Sequence, residues 1–249
     1  MNNPIRNIKL VLEYDGGRYH GWQRQSQLKN TVQGRIEYVL KQMTGEEIEL
    51  HGAGRTDAGV HAWGQVANFL TNSELSREEI KAYLEKYLPD DIALVSLEEM
   101  PDRFHSRLNA TGKVYVYKIW NGTRKNVFQR YQTYEVLTPL KLDAMRLAAT
   151  QFIGTKDFKA FTANKSKDKS TVRTVDSITI EKTGESVKIR VAGDGFLHKM
   201  VRIIVGTLIQ VGTGEIHPAE VKKMMEQEDR ATSGFTAPPQ GLYLAEVIY

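Results

Sequence analysis

The side chains with the most chemical potential stand together in Gly52-Ala53-Gly54-Arg55-Thr56-Asp57-Ala58-Gly59-Val60-His61. Three glycines within eight residues do not suit the interior of a helix or strand. They let the backbone turn sharply and come close to a ligand. Ala62-Trp63-Gly64-Gln65-Val66-Ala67-Asn68-Phe69 follows with the alternation of a half-buried strand, and Glu49-Leu50-His51 reads as a short strand leading in. Asp57 is therefore expected on a tight loop between two strands. A carboxylate so placed can act as a nucleophile or a proton acceptor. It can equally do no more than close a turn by bonding its own backbone. The Gly-x-Gly pair lacks the Gly-Lys-Ser/Thr ending of a phosphate cradle and the third glycine of a dinucleotide site, so a nucleotide cofactor is not expected.

Other residues could join this acid, each with a plain alternative. Tyr115 falls in Lys113-Val114-Tyr115-Val116-Tyr117-Lys118-Ile119-Trp120, an alternating strand in which Tyr115, Tyr117 and Ile119 share a face. By itself it reads as a core aromatic. Arg202 sits on a helix and by itself reads as a surface arginine, while Arg55 reads as a loop arginine on phosphate or solvent. Tyr19-His20-Gly21-Trp22-Gln23-Arg24-Gln25 mixes aromatic and polar groups, as base-stacking loops do. It also suits a surface loop pinned by Trp22. Lys165, Lys167 and Lys169 form a polar stretch that is either a solvated loop or a phosphate contact.

The elements that must position these groups follow from periodicity. Ile5 to Tyr14 is expected as a strand ending at the Asp15-Gly16-Gly17 turn. Thr31 caps a helix with Val32, Ile36, Val39, Leu40 and Met43 on its apolar face. Ser76 with Glu79 caps a second, whose buried face is Ile80, Tyr83, Leu84 and Tyr87, and Pro89 stops it. Residues 92–97 form a further strand. Strand, helix, strand, strand, helix, strand is a ferredoxin-like order. The remainder repeats that order with additions: the strand at 113–120, a basic loop at 124–130, a helix at 142–152 and a short strand or turn at 156–162. A hairpin over 174–181 and 187–192, a helix from Leu197 through Ile209, a charged helix at 218–227 and a closing strand at 242–248 complete it. The expected class is α+β, with residues 1–107 and 108–249 as two similar halves.

Bulk properties narrow the partners. The 249 residues are 41% hydrophobic, enough for one large or two modest domains. A net charge of +4 suits a nucleic-acid partner without requiring one. No cysteine is present, which excludes disulfides and thiolate metal sites, and the six histidines lack ligand-type spacing, so no metal is expected. No signal-peptide core or membrane-length apolar run is found, and the expected compartment is the cytoplasm.

Gly54-Arg55-Thr56-Asp57-Ala58-Gly59-Val60-His61-Ala62 closely resembles the catalytic motif of the tRNA pseudouridine synthase A family. Further matches are Tyr14-Asp15-Gly16, Gly21-Trp22-Gln23, the Tyr115-x-Tyr117 pattern, Phe196-Leu197-His198-Lys199-Met200-Val201-Arg202 and Gly241-Leu242-Tyr243-Leu244. The resemblance extends over most of the chain, with Val116 and Lys199 at variable positions. It implies two ferredoxin-like halves with mainly antiparallel sheets facing a central cleft, and an isomerase that converts uridine to pseudouridine at positions 38, 39 and 40 of the tRNA anticodon arm. It implies Asp57 as the catalytic acid and Arg202 as the cation that pairs with it, an arrangement that favours an ionised carboxylate. Tyr115 is implied as the aromatic on the uracil, Arg55 as a hold on RNA whose target base is turned out, and Leu242 as pocket lining. No cofactor is implied, and a homodimer is implied. Two other classes remain at this stage: a non-catalytic RNA-binding module, indifferent to Asp57, and a hydrolase using Asp57 with His51 or His61.

Overall fold

A computed structural model describes residues 5–25, 30–163 and 170–249. The chain divides into two compact units, one of residues 1–111 and 244–249, the other of residues 112–243.

The first unit opens with β1 (Arg6–Tyr14), whose Ile8, Leu10 and Leu12 are fully buried on one face. Helix α1 (Val32–Thr44) starts where the Thr31 side chain accepts the Gly34 N–H and ends at Gly45 in the left-handed region. Ile36 and Leu40 are buried on it as their spacing requires, while Met43 lies half-buried. The strand expected at 49–51 begins two residues later and is shorter, as β2 (His51–Gly52). Then come β3 (His61–Thr71), α2 (Arg77–Tyr87) and β4 (Ile92–Met100). The Ser76–Glu79 capping box is present in full. Ile80 and Leu84 are buried, but Tyr83 is only half-buried and Tyr87 is exposed. Tyr87 is the last residue of its helix, where the core beneath has ended, and its ring rests against that of Tyr83 with centroids 4.3 Å apart. The strand order is β4-β1-β3 with β2 on β3, all antiparallel. Each helix carries the chain over the strand lying between the two it joins, which is the ferredoxin-like arrangement. The closing strand β10 (Leu242–Ile248) lies next to β3 in this unit from Leu244 onward.

The second unit runs β5 (Gly112–Trp120), β6 (Tyr134–Glu135), α3 (Leu142–Ala149), β7 (Gly154–Asp157), β8 (Val172–Thr183), β9 (Ser186–Gly193), α4 (Met200–Thr213) and α5 (Glu220–Gln227). Its sheet order is β5-β9-β8-β7, antiparallel, with the two-residue β6 parallel to β5. Helix α4 starts three residues later than its periodicity suggests. Lys199 takes a φ of 61°, which a right-handed helix cannot contain, and Met200 follows as the first helical residue. From there twelve of its fourteen residues are buried, so it is a core helix with no solvent face to speak of. Among the described residues, no helix is long and apolar enough to cross a membrane.

Candidate active site

The Asp57 loop is held through its backbone. The Trp22 N–H donates to the Thr56 carbonyl at 3.1 Å, the Gly59 N–H to the Tyr19 carbonyl at 3.3 Å, and the Val60 N–H to the Asp57 carbonyl at 3.1 Å. Ala53 donates to Val66 at 2.7 Å, and Gln65 Nε2 donates to the Gly54 carbonyl at 2.8 Å. The Thr56 hydroxyl bonds the hydroxyl of Tyr14 at 2.8 Å. Burial pushes that Tyr14 hydroxyl well above its ordinary range, and the bond to Thr56 opposes the shift. The loop is thus tied at Ala53, Gly54, Thr56, Gly59 and Val60, while Asp57 is half-buried and Arg55 is exposed. Holding a carboxylate on a fixed backbone is one way to build a site.

Two features of the neighbouring segment explain this fit. Trp22, at 1% exposure, is a core residue and not a surface stacker. Gly52 lets it in, because a Cβ there would sit 2.4 Å from the indole nitrogen. The loop at 19–25 therefore serves as the cradle of the Asp57 loop. The residues that bond this loop from its neighbours, Tyr14 and Gln65, together with Thr56, carry no sign of that role in the periodicity of the sequence. A buried tyrosine at a strand end, just before the Asp-Gly-Gly turn, is a signal that periodicity does not weigh.

Of the two histidines offered as hydrolytic partners, His61 is 1% exposed, and its Nδ1 lies 3.0 Å from Asp15 Oδ1 and 3.1 Å from the Gly16 N–H. His51 stacks on His105 with centroids 5.0 Å apart. Both have structural employment on strands β2 and β3.

In the second unit, Tyr115 lies on β5 at 8% exposure, with the ring of Phe196 edge-on at 5.3 Å. Tyr117, two residues on, is fully buried and donates its hydroxyl to the Pro238 carbonyl at 2.8 Å. Burial pushes that hydroxyl well up, against the opposing charge of Arg202. Arg202 is not the surface arginine that its isolated position on a helix suggests: it is 9% exposed. Its Nε donates to the Ala237 carbonyl at 2.7 Å, and Ala237 returns its N–H to the Arg202 carbonyl at 3.0 Å. The segment 237–238 thus joins α4 to Tyr117, and a 3-10 turn at Pro239–Gly241 delivers Leu242, 5% exposed, into β10. Leu244 is fully buried core. Tyr115, Arg202 and Leu242 thus keep a little surface open, whereas Tyr117, fully buried and bonded to Pro238, has none to offer a substrate. The basic loop at 124–130 is exposed, Phe128 at 94%. Lys165, Lys167 and Lys169 lie outside the described residues.

Fold and site define the class: an α+β protein of two ferredoxin-like units, one of them presenting a loop carboxylate suited to covalent or proton-transfer chemistry. Comparison with known proteins refines this. The model of a family described as tRNA pseudouridine synthase matches residues 10–109 and 148–249. The chain is 49% identical to tRNA pseudouridine synthase A of Bacillus sp. (strain KSM-64) over 98% of this chain and 100% of that one. It is 47% identical to tRNA pseudouridine synthase A of Acetivibrio thermocellus, over the same shares. Among solved structures it is similar to a chain of a Cbf5-Nop10-Gar1 complex at 16% identity and a TM-score of 0.39, covering 82% of this chain and 45% of that one, a likeness too distant to argue from. The chain belongs to the tRNA pseudouridine synthase family, a family of isomerases.

Proposed function

We propose that this protein converts uridine to pseudouridine at positions 38, 39 and 40 of the tRNA anticodon stem-loop, working as a cytoplasmic homodimer. In the reaction the N1–C1′ bond breaks, a C5–C1′ bond forms, C5 loses its proton and N1 gains one. Nothing is oxidised or transferred to a second molecule, so the chemistry calls for a carboxylate and a grip on the base and for no cofactor. Asp57 supplies the carboxylate. Tyr115, Arg202 and Leu242 bind the uracil, and Arg55 holds the RNA from which the target base has been turned out at a cost of a few kcal/mol.

The observation that carries the reading is the mounting of Asp57. Its loop is bonded at Thr56 and Gly59 to Trp22 and Tyr19 and keeps the carboxylate half-buried, inside the region matched by the family model. Asp57→Asn is expected to bind a tRNA transcript as the unaltered protein does and to form no pseudouridine. Retained turnover by that variant removes Asp57 from the reaction. Mapping pseudouridine in tRNA from cells with and without the protein tests the three positions, and sedimentation tests the dimer.

A further inference from the structure

Beside Arg55 runs a chain of polar side chains, two of them buried, that the chemistry above does not use. Arg55 Nε donates to Gln23 Oε1 at 3.0 Å. Gln23 Nε2 donates to Gln33 Oε1 at 2.8 Å. Gln33 Nε2 donates to Glu37 Oε1 at 2.8 Å. Gln33 and Glu37 are each 5% exposed, so both are core residues on the first two turns of α1.

The direction of this chain is fixed at its buried end. Gln33 Oε1 also accepts the backbone N–H of Arg24 at 2.8 Å, and a backbone N–H can only donate. Gln33 Nε2 also donates to the Leu50 carbonyl at 3.1 Å, which can only accept. The Gln33 amide therefore has one orientation. Glu37 Oε1 completes the set by accepting the Leu50 N–H at 3.1 Å. With Gln33 fixed, Gln23 must offer its NH2 inward and its oxygen outward. That outward oxygen faces a guanidinium, which has donors only. Every link agrees with the next, and no amide flip is tolerated.

The far side of the network is also anchored. Arg24 Nη1 lies 2.9 Å from Glu37 Oε2; the approach is off the hydrogen-bond direction, so this is a charge pairing. The N–H groups of Val32 and Gln33, which α1 itself cannot satisfy, donate to the carbonyls of Gly21 and Trp22. Gln23 thus stands on backbone tied to a helix N-terminus.

A buried polar network whose members are satisfied rigidifies the groups it holds. A guanidinium that meets RNA works through its plane, flat on a base or paired to phosphate. An exposed arginine held at Nε has that plane restricted, and its two terminal nitrogens take no part in the bond. We propose that Gln33 and Glu37 are positioning residues for RNA recognition, acting through Gln23 to orient the guanidinium of Arg55. This rests on the reading of Arg55 as an RNA contact.

The test is a double-mutant cycle on the full-length protein with a tRNA transcript as substrate. Gln23→Leu cuts the link while leaving Gln33 its bonds to Arg24 and Leu50, so its melting midpoint should match that of the unaltered protein. Gln33→Leu removes the anchor itself. Each is expected to lower kcat/KM between about tenfold and a hundredfold, the scale of a misplaced contact. The loss should fall mainly in kcat, since Arg55 engages after the base has turned out. In an Arg55→Ala background, neither substitution should cost anything more. Losses that multiply in the double variants overturn the relay, as does a Gln23→Leu protein with full turnover, or an Arg55→Ala protein with full turnover. Should Gln33→Leu fail to fold, the Gln23→Leu cycle decides alone. An unaltered protein that makes no pseudouridine fails the functional reading itself, an outcome separate from failure of the relay.

Discussion

Gly21 shows how closely a single residue can govern the site. Its φ is +88°, a region that side chains seldom enter, and a Cβ there would lie 2.6 Å from the Thr56 carbonyl oxygen. That carbonyl is the acceptor that fixes the Asp57 loop to Trp22. Gly21→Ala should therefore reduce pseudouridine formation even where the protein still folds, since relief of the clash must displace residues 56 and 57. A variant with unchanged kcat would show that the loop tolerates the shift. His105 makes a different point. Burial, with His51 and Arg107 adding to it, holds its imidazole below the ordinary histidine range. The unfolded chain then takes up a proton more readily than the folded one, so stability is present above about pH 6.5 and declines as pH falls through that range. Melting midpoints measured downward from neutral pH should drop, and His105→Gln should flatten part of that slope. An identical slope in the variant would rule out the histidine as its source.

At the scale of elements, α4 is the member that places Arg202. It is buried nearly all round, so it can be approached closely only where its side chains are small. Gly206 is such a point: a Cβ there would stand 1.9 Å from the Phe235 carbonyl oxygen. That backbone leads directly to Ala237, the partner of Arg202. Gly206→Ala is expected to cost about 1–3 kcal/mol, the usual penalty for overfilling a core. Activity should fall with it, because the strap that receives the Arg202 Nε is pushed away. Calorimetry and kinetics on the same preparation test both parts, and a fully stable, fully active variant would refute the account. Helix α4 also shows what periodicity misses. Its apolar pattern begins at Leu197, yet the backbone becomes helical only at Met200, and the positive φ of Lys199 carries no hydrophobic signature.

At the scale of the whole molecule, the chain leaves the first unit at Thr111 and returns to it at Leu244. The returning end is fastened: the Thr111 N–H donates to the Ile248 carbonyl at 2.8 Å, and the Tyr249 hydroxyl to the Ser106 carbonyl at 2.7 Å. A chain ending at Tyr243 would remove β10 from the side of β3 away from β1, where only the two residues of β2 would still pair. Its loss should appear in the first unit, as faster amide exchange along β3, although every deleted residue is C-terminal to the second. Unchanged protection of β3 would contradict this.

Much of this protein was legible from one sequence because the information is local. Alternation in β1, β3, β5 and β9, the caps at Thr31 and Ser76, and the glycine spacing around Asp57 are each set within a few residues by backbone sterics and burial. The strand–helix order, and from it the ferredoxin-like class, follows from those signals in series. Polar residues were another matter. Gln33 and Glu37 lie on the buried face of α1 between Val32, Ile36 and Leu40, where polarity alone would have placed them in water. Arg202 gives no local sign that it is buried, nor Trp22 that it is core. Apart from the bond between Gln33 and Glu37 themselves, their partners are the Arg24 amide, the Leu50 carbonyl, the Ala237 carbonyl and the open face of Gly52, none of them adjacent along the chain. A buried polar group is stable only when its bonds are met, and that condition is satisfied by folding, not by any neighbour in sequence.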